Sequence, residues 1–353
     1  MNTKVRIGIM STAEIAHKVC QAINSSEHAE VYCVASRSLE KARQWADAHN
    51  IKTAYGSYDE LLDDPNVDGV YIPLPTSLKK EWAIKAANKK KHVLVEKPLP
   101  GADSSQCLEE IIKSCEDNGV QFLDGTMWLH SLRTQVVKQK KQELGKVTKV
   151  TAAFTFKAPN EEWLHGGNGR TNKNQEPQGC LGDQGWYPVG AILFAFDYEL
   201  PKFVQCLQYK LNKVDTIIEY SGFIEFSDER YAYFDCGVTS PHRSSVDIIC
   251  ENGQLRIDDL VGGFGRTGNF NAYFENFVGS ERFFVDDVQG KEEVVKVEAS
   301  NHTVKMIDTF ANIIQSKKTD HSWHHRSLTT HRVLAALFRA TLKVGEKVQI
   351  LQG

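Results

Sequence analysis

The chain carries no surplus of positive charge and no long apolar segment. Its 353 residues include 42 basic and 45 acidic side chains, a net charge of −3, so no basic excess is available to neutralise nucleic-acid phosphates. The longest apolar run, Val189 to Phe196, is far shorter than the ~20 residues that cross a bilayer. A strand-like run begins at Val5 and leaves no room for a signal peptide. We therefore expect a cytoplasmic protein with no nucleic-acid partner and no membrane partner.

Paired cysteine motifs are also absent. None of the eight cysteines is spaced as Cys-x-x-Cys, and none joins a histidine in a zinc-type pattern. In a chain of this length they are typical of reduced, mostly buried thiols in a cytosolic protein. His321, His324 and His325 lie close together, but no acid or cysteine stands at a suitable spacing from them. We interpret this tract as a solvated connector and expect no metal site.

The first 124 residues alternate between short apolar runs and helical patterns. The runs lie at residues 5–10, 31–35, 67–72, 92–95 and 120–123. Continuous apolar strands separated by amphipathic helices predict a parallel sheet that is covered on both faces. The sequence therefore predicts an α/β fold that begins with a doubly wound Rossmann domain over residues 1–124.

The pattern changes after about residue 145. Apolar residues then alternate with period two in several segments, with turn signals at residues 227–230 and at Asn252-Gly253. Two helical patterns close the chain. These features predict an α+β second domain over residues 125–353, built on a large, predominantly antiparallel open sheet that binds substrate. Its aromatic run at residues 231–234 would expose more apolar surface than a monomer usually does, so we expect a homodimer.

The first βα turn lacks the glycines of the dinucleotide fingerprint G-x-G-x-x-G. It contains Ser11, Thr12, Ala13, Glu14 and Ile15. The fingerprint glycines are replaced by small residues, so the backbone amides at a helix N-terminus can still approach a pyrophosphate. The turn predicts dinucleotide binding, with an ordinary α/β turn as the alternative.

The end of the second strand lacks the acid that usually binds the adenosine ribose of NAD. Ser36, Arg37 and Ser38 stand there instead. Two hydroxyls and a planar guanidinium suit a 2′-phosphate, so this segment favours NADP, with NAD as a possible cofactor. The alternative is an ordinary exposed arginine at the start of a helix.

Glu96-Lys97-Pro98 follows a buried strand directly, at the edge of the sheet where ligands bind in open α/β folds. The preceding strand ends in a proline-rich segment at residues 73–76, which includes Pro73, Leu74 and Thr76. We interpret that segment as a wall of the cofactor site.

These motifs resemble those of the Gfo/Idh/MocA oxidoreductase family, and the resemblance covers the whole chain. The family's Glu-Lys-Pro motif matches Glu96-Lys97-Pro98, and its second motif matches residues 179–187, GCLGDQGWY. Residues 55–62 and the segment from Met127 to His130, followed by Arg133, are also typical of it. The branch that it resembles most contains NADP-dependent xylose dehydrogenases and dihydrodiol dehydrogenases.

The resemblance implies roles for individual residues. The family's catalytic lysine falls on Lys97, the preceding acid on Glu96 near the nicotinamide ribose, the proton-transfer residue on Tyr187, and a conserved acid on Asp183. It also implies a cis peptide bond before Pro98. The chain departs from the family at the first-turn glycines and at Thr76, where Asn or His is common.

The spacing agrees with these roles. Asp183 and Tyr187 are four residues apart, so on one helix they would share a face, directed at the strand end that carries Lys97. A nearby ammonium favours tyrosinate and lowers a pKa that is ordinarily near ~10. We further expect His130 and Arg170 to contact substrate, with structural or surface roles as the alternatives.

The function implied is NADP-dependent hydride transfer to or from a carbinol of a sugar, polyol or dihydrodiol. Two alternatives remain. One is a nicotinamide-dependent glycosidase, whose members tend to have histidine where Tyr187 stands. The other is a non-catalytic dinucleotide-binding sensor, a type that tends to lose the lysine at Lys97.

Overall fold

The computed structural model describes residues 4–261 and 280–350 and divides them into two compact units. The helices are α1 (Glu14–Ser25), α2 (Leu39–Ala48), α3 (Tyr58–Asp63), α4 (Thr76–Asn88), α5 (Gln106–Asp117), α6 (Leu132–Glu143), α7 (Cys180–Asp183), α8 (Trp186–Ala195), α9 (His302–Ser316) and α10 (His321–Ala340). The strands are β1 (Val5–Met10), β2 (Ala29–Ala35), β3 (Thr53–Tyr55), β4 (Gly69–Ile72), β5 (His92–Val95), β6 (Phe122–Asp124), β7 (Val147–Lys157), β8 (Phe203–Leu211), β9 (Ile217–Glu225), β10 (Tyr231–Gly237), β11 (Thr239–Cys250), β12 (Gly253–Ile257), β13 (Ser280–Asp287), β14 (Glu292–Glu298) and β15 (Lys347–Gln349).

The first unit is built on a six-stranded parallel sheet in the order β3-β2-β1-β4-β5-β6. Ile7 and Ile9 on β1 are fully buried, as are both Val70 and Tyr71 on β4. Successive side chains point to opposite faces of a strand, so both faces of this sheet are covered, as the continuous apolar runs predict. The strand order reverses between β1 and β4, which is the switch point where ligands bind in such folds.

Helix α9 belongs to the first unit, although it lies almost 180 residues beyond β6. Met306, Ile307 and Phe310 join the buried cluster that contains Ile7 and Ile23. The observed units differ from the predicted division at residue 124. Residues 301–327 belong to the unit with the Rossmann sheet, and residues 101–105 belong to the second unit. Helical periodicity shows that α9 has an apolar face but does not show which sheet will cover it.

The second unit contains a nine-stranded sheet in the order β14-β13-β12-β11-β7-β10-β9-β8-β15. β7 and β10 pair in parallel, and the other neighbours pair antiparallel. The predicted turn between β9 and β10 is formed by Asp228 and Glu229, both in the left-handed region that suits a tight hairpin. The predicted fold class, Rossmann followed by a mostly antiparallel α+β sheet, is confirmed.

None of the helices within residues 4–261 and 280–350 is both long and apolar enough to cross a membrane. All eight cysteines are free thiols; seven are buried and Cys107 is partly exposed. This agrees with the interpretation of the cysteines as reduced core residues.

Candidate active site

Ser11 occupies the position of the first fingerprint glycine with a backbone that suits glycine. Its φ is 148°, which an L-residue rarely adopts. The Ser11 hydroxyl accepts a hydrogen bond from the amide of Ala13 at 3.1 Å, immediately before α1 begins. The chain therefore keeps the tight turn of the fingerprint without its glycine, and a side-chain hydrogen bond supports the strained residue.

Tyr58, which is not among the predicted site residues, lies near both Ser11 and the predicted 2′-phosphate segment. Burial raises the pKa of Tyr58, while the nearby charge of Arg37 and the Ser11 side chain oppose the increase. Arg37 itself is exposed. One buried tyrosine is therefore close to both the first turn and the residues that follow β2.

The remaining residues of these two segments have local roles at the starts of α1 and α2. Ala13 is the N-cap of α1 and its methyl group accepts no hydrogen bond, so the amides of Glu14 and Ile15 are left for a ligand. Ser38 caps α2 by accepting from the amide of Lys41, and Ser36 accepts from the amide of Ser38. A hydroxyl that accepts in this way keeps its own proton to donate. Thr12 is half-buried in the first turn.

The segment after β4 is a buried wall, as the sequence suggests. Pro73 and Leu74 are buried, and Thr76 is the buried first residue of α4. Proline at position 75 precedes the helix, because a residue with no N–H and a fixed φ suits that place.

Glu96 follows β5 directly and contacts groups from the neighbouring strand β4 and from the backbone after β6. The Tyr71 hydroxyl donates to Glu96 Oε1 at 2.8 Å. A Cβ at position 125 would lie 2.9 Å from Glu96 Oε2, so only glycine lets the carboxylate lie against that backbone. Burial raises the pKa of Glu96, while the Tyr71 bond and the charges of neighbouring lysines oppose the increase.

The charges of three lysines from three parts of the first unit act on this carboxylate. Lys97 follows it in sequence, Lys79 comes from α4, and Lys18 comes from α1. Burial lowers the pKa of Lys18 to about 7, with the Glu96 charge opposing and the Lys97 charge adding to the decrease. Of these three lysines, only Lys97 is a predicted site residue, because nothing in local spacing places Lys18 or Lys79 beside it.

Lys97 is half-buried, and its peptide bond to Pro98 is cis, as the family resemblance implies. The Pro98 carbonyl accepts a hydrogen bond from Lys79 Nζ at 2.7 Å. The turn that carries Lys97 is therefore fixed by a side chain from α4.

Asp183 and Tyr187 lie on two short helices rather than on the one helix that their spacing predicted. Asp183 ends α7 and Tyr187 is the second residue of α8. Pro188 lacks the N–H that would bond the carbonyl four residues earlier, so a continuous helix is interrupted and a new one begins at Trp186. Gly179, with φ 55° and ψ −135°, makes the turn into α7 in a conformation that requires glycine.

The second unit brings Arg170 and Asp183 together. Arg170 Nε lies 3.0 Å from Asp183 Oδ2, and the Gln184 amide also donates to that oxygen. Tyr187 is 7% exposed, and its ring packs on Phe154 with 4.8 Å between centroids. The half-exposed Arg170 is therefore paired with the buried carboxylate of Asp183. Asp183 stands four residues before Tyr187, the predicted proton-transfer residue.

His130 occupies a buried place in the first unit. Its ring stacks on Trp323 at 4.3 Å, and its Nδ1 lies 3.0 Å from the Thr309 hydroxyl. Burial, with the charges of Arg326 and His302, lowers its pKa to about 3. A neutral imidazole stacked between the C-terminal helices holds α9 and α10 in place, which favours the structural alternative over substrate contact.

The interpretation of the histidine-rich tract as a solvated connector was wrong, since the tract begins α10 and His324 is buried. The tract also has an acid partner that its spacing did not reveal. Glu116 Oε1 lies 3.0 Å from Nδ1 of both His321 and His324, in a group whose ligand atoms are close enough for a metal ion. However, the Gln121 oxygen accepts from the amide of Asp320, so its NH₂ group faces His324 Nε2 at 3.3 Å. That contact places the His324 proton on Nδ1, where it donates to Glu116. The arrangement favours hydrogen bonding over metal binding.

Comparison with known proteins identifies the family. Residues 5–126 match the NAD-binding Rossmann domain of the Gfo/Idh/MocA oxidoreductases, and residues 137–256 match a C-terminal domain of the same family. A trans-1,2-dihydrobenzene-1,2-diol dehydrogenase from Xenopus laevis is 30% identical over 72% of this chain and 75% of its own. The chain belongs to the Gfo/Idh/MocA oxidoreductase family.

Two further similarities extend along the chain. A D-xylose 1-dehydrogenase (NADP⁺) from Haloferax volcanii is 29% identical over 97% of this chain and 99% of its own. A 3-ketoreductase from Actinomadura kijaniata, solved with NADP and TDP-benzene, superimposes with a TM-score of 0.82 at 22% identity over 96% of this chain and 98% of its own. The predicted family is confirmed, and the chain is an oxidoreductase with an NAD(P)-binding Rossmann domain.

Proposed function

We propose that this protein is an NADP-dependent dehydrogenase that transfers a hydride between nicotinamide and a carbinol carbon of a sugar, polyol or dihydrodiol. The reaction that we favour is at C1 of an aldopyranose such as xylose or glucose. One observation carries the proposal. Lys97 and Tyr187 are both present in a chain that aligns over 97% of its length with an NADP-dependent xylose dehydrogenase. Their presence also weighs against the sensor and glycosidase alternatives.

The residues of the first unit fit a dinucleotide phosphate. The uncapped amides of α1 suit a pyrophosphate, and exposed Arg37 with its two flanking hydroxyls suits a 2′-phosphate. The wall of Pro73, Leu74 and Thr76 and the carboxylate of Glu96 would complete the cofactor site. When bound, the nicotinamide supplies the hydride donor or acceptor.

The chain's own residues would handle the proton. Tyr187, as tyrosinate, takes the proton of the reacting hydroxyl, and the Lys97 ammonium favours that ionised form and donates to the reacting oxygen. A carboxylate has about four acceptor sites, so Asp183 can accept from a neighbouring substrate hydroxyl while it remains paired with Arg170.

The Arg170–Asp183 pair supports a neutral substrate. An arginine near a site would otherwise suit a substrate carboxylate, but here its charge already meets a buried acid at 3.0 Å. An anionic substrate would have to compete with that carboxylate for the guanidinium. We therefore place neutral polyhydroxy compounds ahead of hydroxy acids.

A spectrophotometric screen tests the proposal. NADP⁺ and NAD⁺ would each be offered with aldoses, inositols and trans-dihydrodiols, and reduction of the cofactor followed at several pH values. We expect turnover with NADP⁺ and at least one of these classes. Tight NADPH binding without turnover of any carbinol or carbonyl compound would make the sensor alternative the better description.

Arg37 should determine the choice between NADP and NAD. Replacing it with alanine removes a charged hydrogen-bond donor to the 2′-phosphate, so we expect NADP⁺ affinity to fall by about 10–100-fold. NAD⁺ affinity should stay nearly unchanged, since NAD⁺ has no such phosphate. Arg43→Ala, an exposed arginine on α2, is the matched control. Equal wild-type affinity for both cofactors would contradict this prediction.

We also propose that the nine-stranded sheet forms a homodimer interface. Phe223, Tyr231 and Tyr233 contact one another on one face, with ring centroids 5.0–5.8 Å apart, and Tyr233 is 43% exposed. Adjacent aromatic rings that are partly or largely exposed are typical of association surfaces.

Light scattering should find twice the 39.7 kDa chain mass for the wild type. Tyr233→Glu should shift the species to the monomer, because it places a charge inside the proposed interface. Val288→Glu changes another exposed apolar residue, which is 71% exposed, and should leave the mass unchanged. A monomeric wild type at micromolar concentration would contradict the proposal.

The location that we propose is the cytoplasm. Eight free thiols with no disulfide among them are typical of a reducing compartment.

A further inference from the structure

Lys79 is a buried lysine whose partners lie on both sides of the turn that carries Lys97. Its side chain is 2% exposed, although its neighbour Lys80 lies at the surface and pairs with Glu110 at 2.7 Å. Burying an ammonium is costly unless hydrogen bonds and opposite charge offset the lost hydration. The groups around Lys79 therefore indicate what it does.

Two of those groups flank Lys97 in the sequence: the Pro98 carbonyl after it and the Glu96 carboxyl group before it. Lys79 Nζ donates to the Pro98 carbonyl at 2.7 Å and lies 3.5 Å from the Thr76 hydroxyl. Its charge is also near enough to Glu96 to favour the ionised carboxylate. A single ammonium thus acts on both neighbours of Lys97 in the sequence.

We infer that Lys79 is a positioning residue for Lys97: it holds the Pro98 carbonyl that follows Lys97, and its charge acts on the Glu96 carboxyl group that precedes Lys97. The inference rests on the proposed function of Lys97. It assigns a role to a residue that takes no direct part in the proposed proton or hydride transfer. Displacing a reacting group by about 1 Å can cost on the order of 10²-fold in rate, so a fixed turn matters even though Lys79 does not touch substrate.

The charged surroundings of Glu96 set the pH behaviour. Tyr71 faces it from β4, Lys18 from α1, Lys79 from α4, and Lys97 follows it, while burial raises its pKa against all four. Removing the Lys79 charge must raise the pKa of Glu96 further, because one of the groups that favours the carboxylate is lost. Glu96 would then gain its proton at a higher pH than in the wild type. On the acid side of the pH profile of kcat (the acid limb), activity would therefore begin to fall at a higher pH.

Three variants of the full-length protein test this. Lys79→Met removes the charge and the donor, Lys79→Gln removes the charge but keeps a donor toward Pro98, and Lys80→Met removes the adjacent surface lysine as the matched control. For each we would measure kcat, KM for both substrates, NADPH affinity and the pH profile of kcat. Carbon-13 NMR of protein labelled at the glutamate carboxyls follows Glu96 directly, with Glu96→Gln to assign its signal.

We expect Lys79→Met to lower kcat about tenfold or more with NADPH affinity nearly unchanged. Both its acid limb and the Glu96 titration should move up by about one pH unit. Lys79→Gln should show the same shift of the Glu96 titration with a smaller loss of kcat. If Lys79→Met does not fold, Lys79→Gln takes its place in these measurements. Lys80→Met should match the wild type in every measurement.

Two results would overturn the inference. One is wild-type kcat in Lys79→Met. The other is a lower kcat with Glu96 titrating as in the wild type, which would make Lys79 a structural residue only. A wild-type protein that turns over no substrate contradicts the proposed function instead, and the NMR titration, which needs no turnover, still decides whether Lys79 acts on Glu96.

Discussion

Tyr187→Phe is expected to lower kcat by about 10²–10⁴-fold, the usual contribution of a positioned acid–base group. The substitution removes one oxygen from a side chain that is 7% exposed and packs on Phe154, so the ring contacts and the fold should be retained. Cofactor affinity should change little, since the hydroxyl is assigned to the carbinol proton.

Steady-state kinetics on the best substrate from the screen would check this, with cofactor binding measured in parallel. Tyr209→Phe makes the same chemical change on β8, outside the proposed site, and should leave kcat unchanged. Near-full activity of Tyr187→Phe would show that another group, or water, exchanges the proton.

Lys97→Met should cost at least as much activity, because it removes both the charge that favours tyrosinate and a donor to the reacting oxygen. A cation at the reacting oxygen favours the ionised form of a phenol, so in the proposed reaction loss of the Lys97 charge makes proton abstraction at a given pH less favourable. The residual activity should therefore keep rising with pH over a range where the wild type has levelled off. Lys97→Arg, which keeps the charge, should shift that profile less.

The pH profile of kcat for the three proteins is the measurement, with Lys113→Met as the control. Lys113 lies on the surface of α5 and pairs with Asp117 at 2.9 Å, so its loss should affect neither kcat nor the profile. A Lys97→Met profile that is only scaled down, with no shift along the pH axis, would assign Lys97 to binding rather than to tuning the tyrosine.

The active-site residues show how far local patterns reach. The turn at Ser11, the strand end at Lys97 and the helix start near Tyr187 follow from sequence, because each lies where a strand or helix begins or ends. Their roles in cofactor and substrate binding stay predictions for the experiments above. The single helix predicted for Asp183 and Tyr187 was wrong, since the four-residue spacing ignored the missing N–H of Pro188.

Partners from distant parts of the chain were beyond sequence reasoning. Glu116 meets His324 across 208 residues, and Tyr71 meets Glu96 across 25. Lys79 and Lys80 are chemically identical and adjacent, yet one is buried against Pro98 and the other is at the surface. No local pattern separates them, because the distinction depends on which way α4 faces the turn after β5.

The sequence by itself determined the kinds of elements and their order: a parallel α/β sheet, then a largely antiparallel one, then two helices. It did so because hydrophobic period and turn chemistry are local properties of the chain. Only the tertiary structure decided that α9 packs with the first sheet, that Tyr58 lies near Ser11 and Arg37, and that the charges of three lysines act on Glu96. Those contacts depend on how elements far apart in sequence pack together, and burial and charge then act on whichever groups that packing makes neighbours.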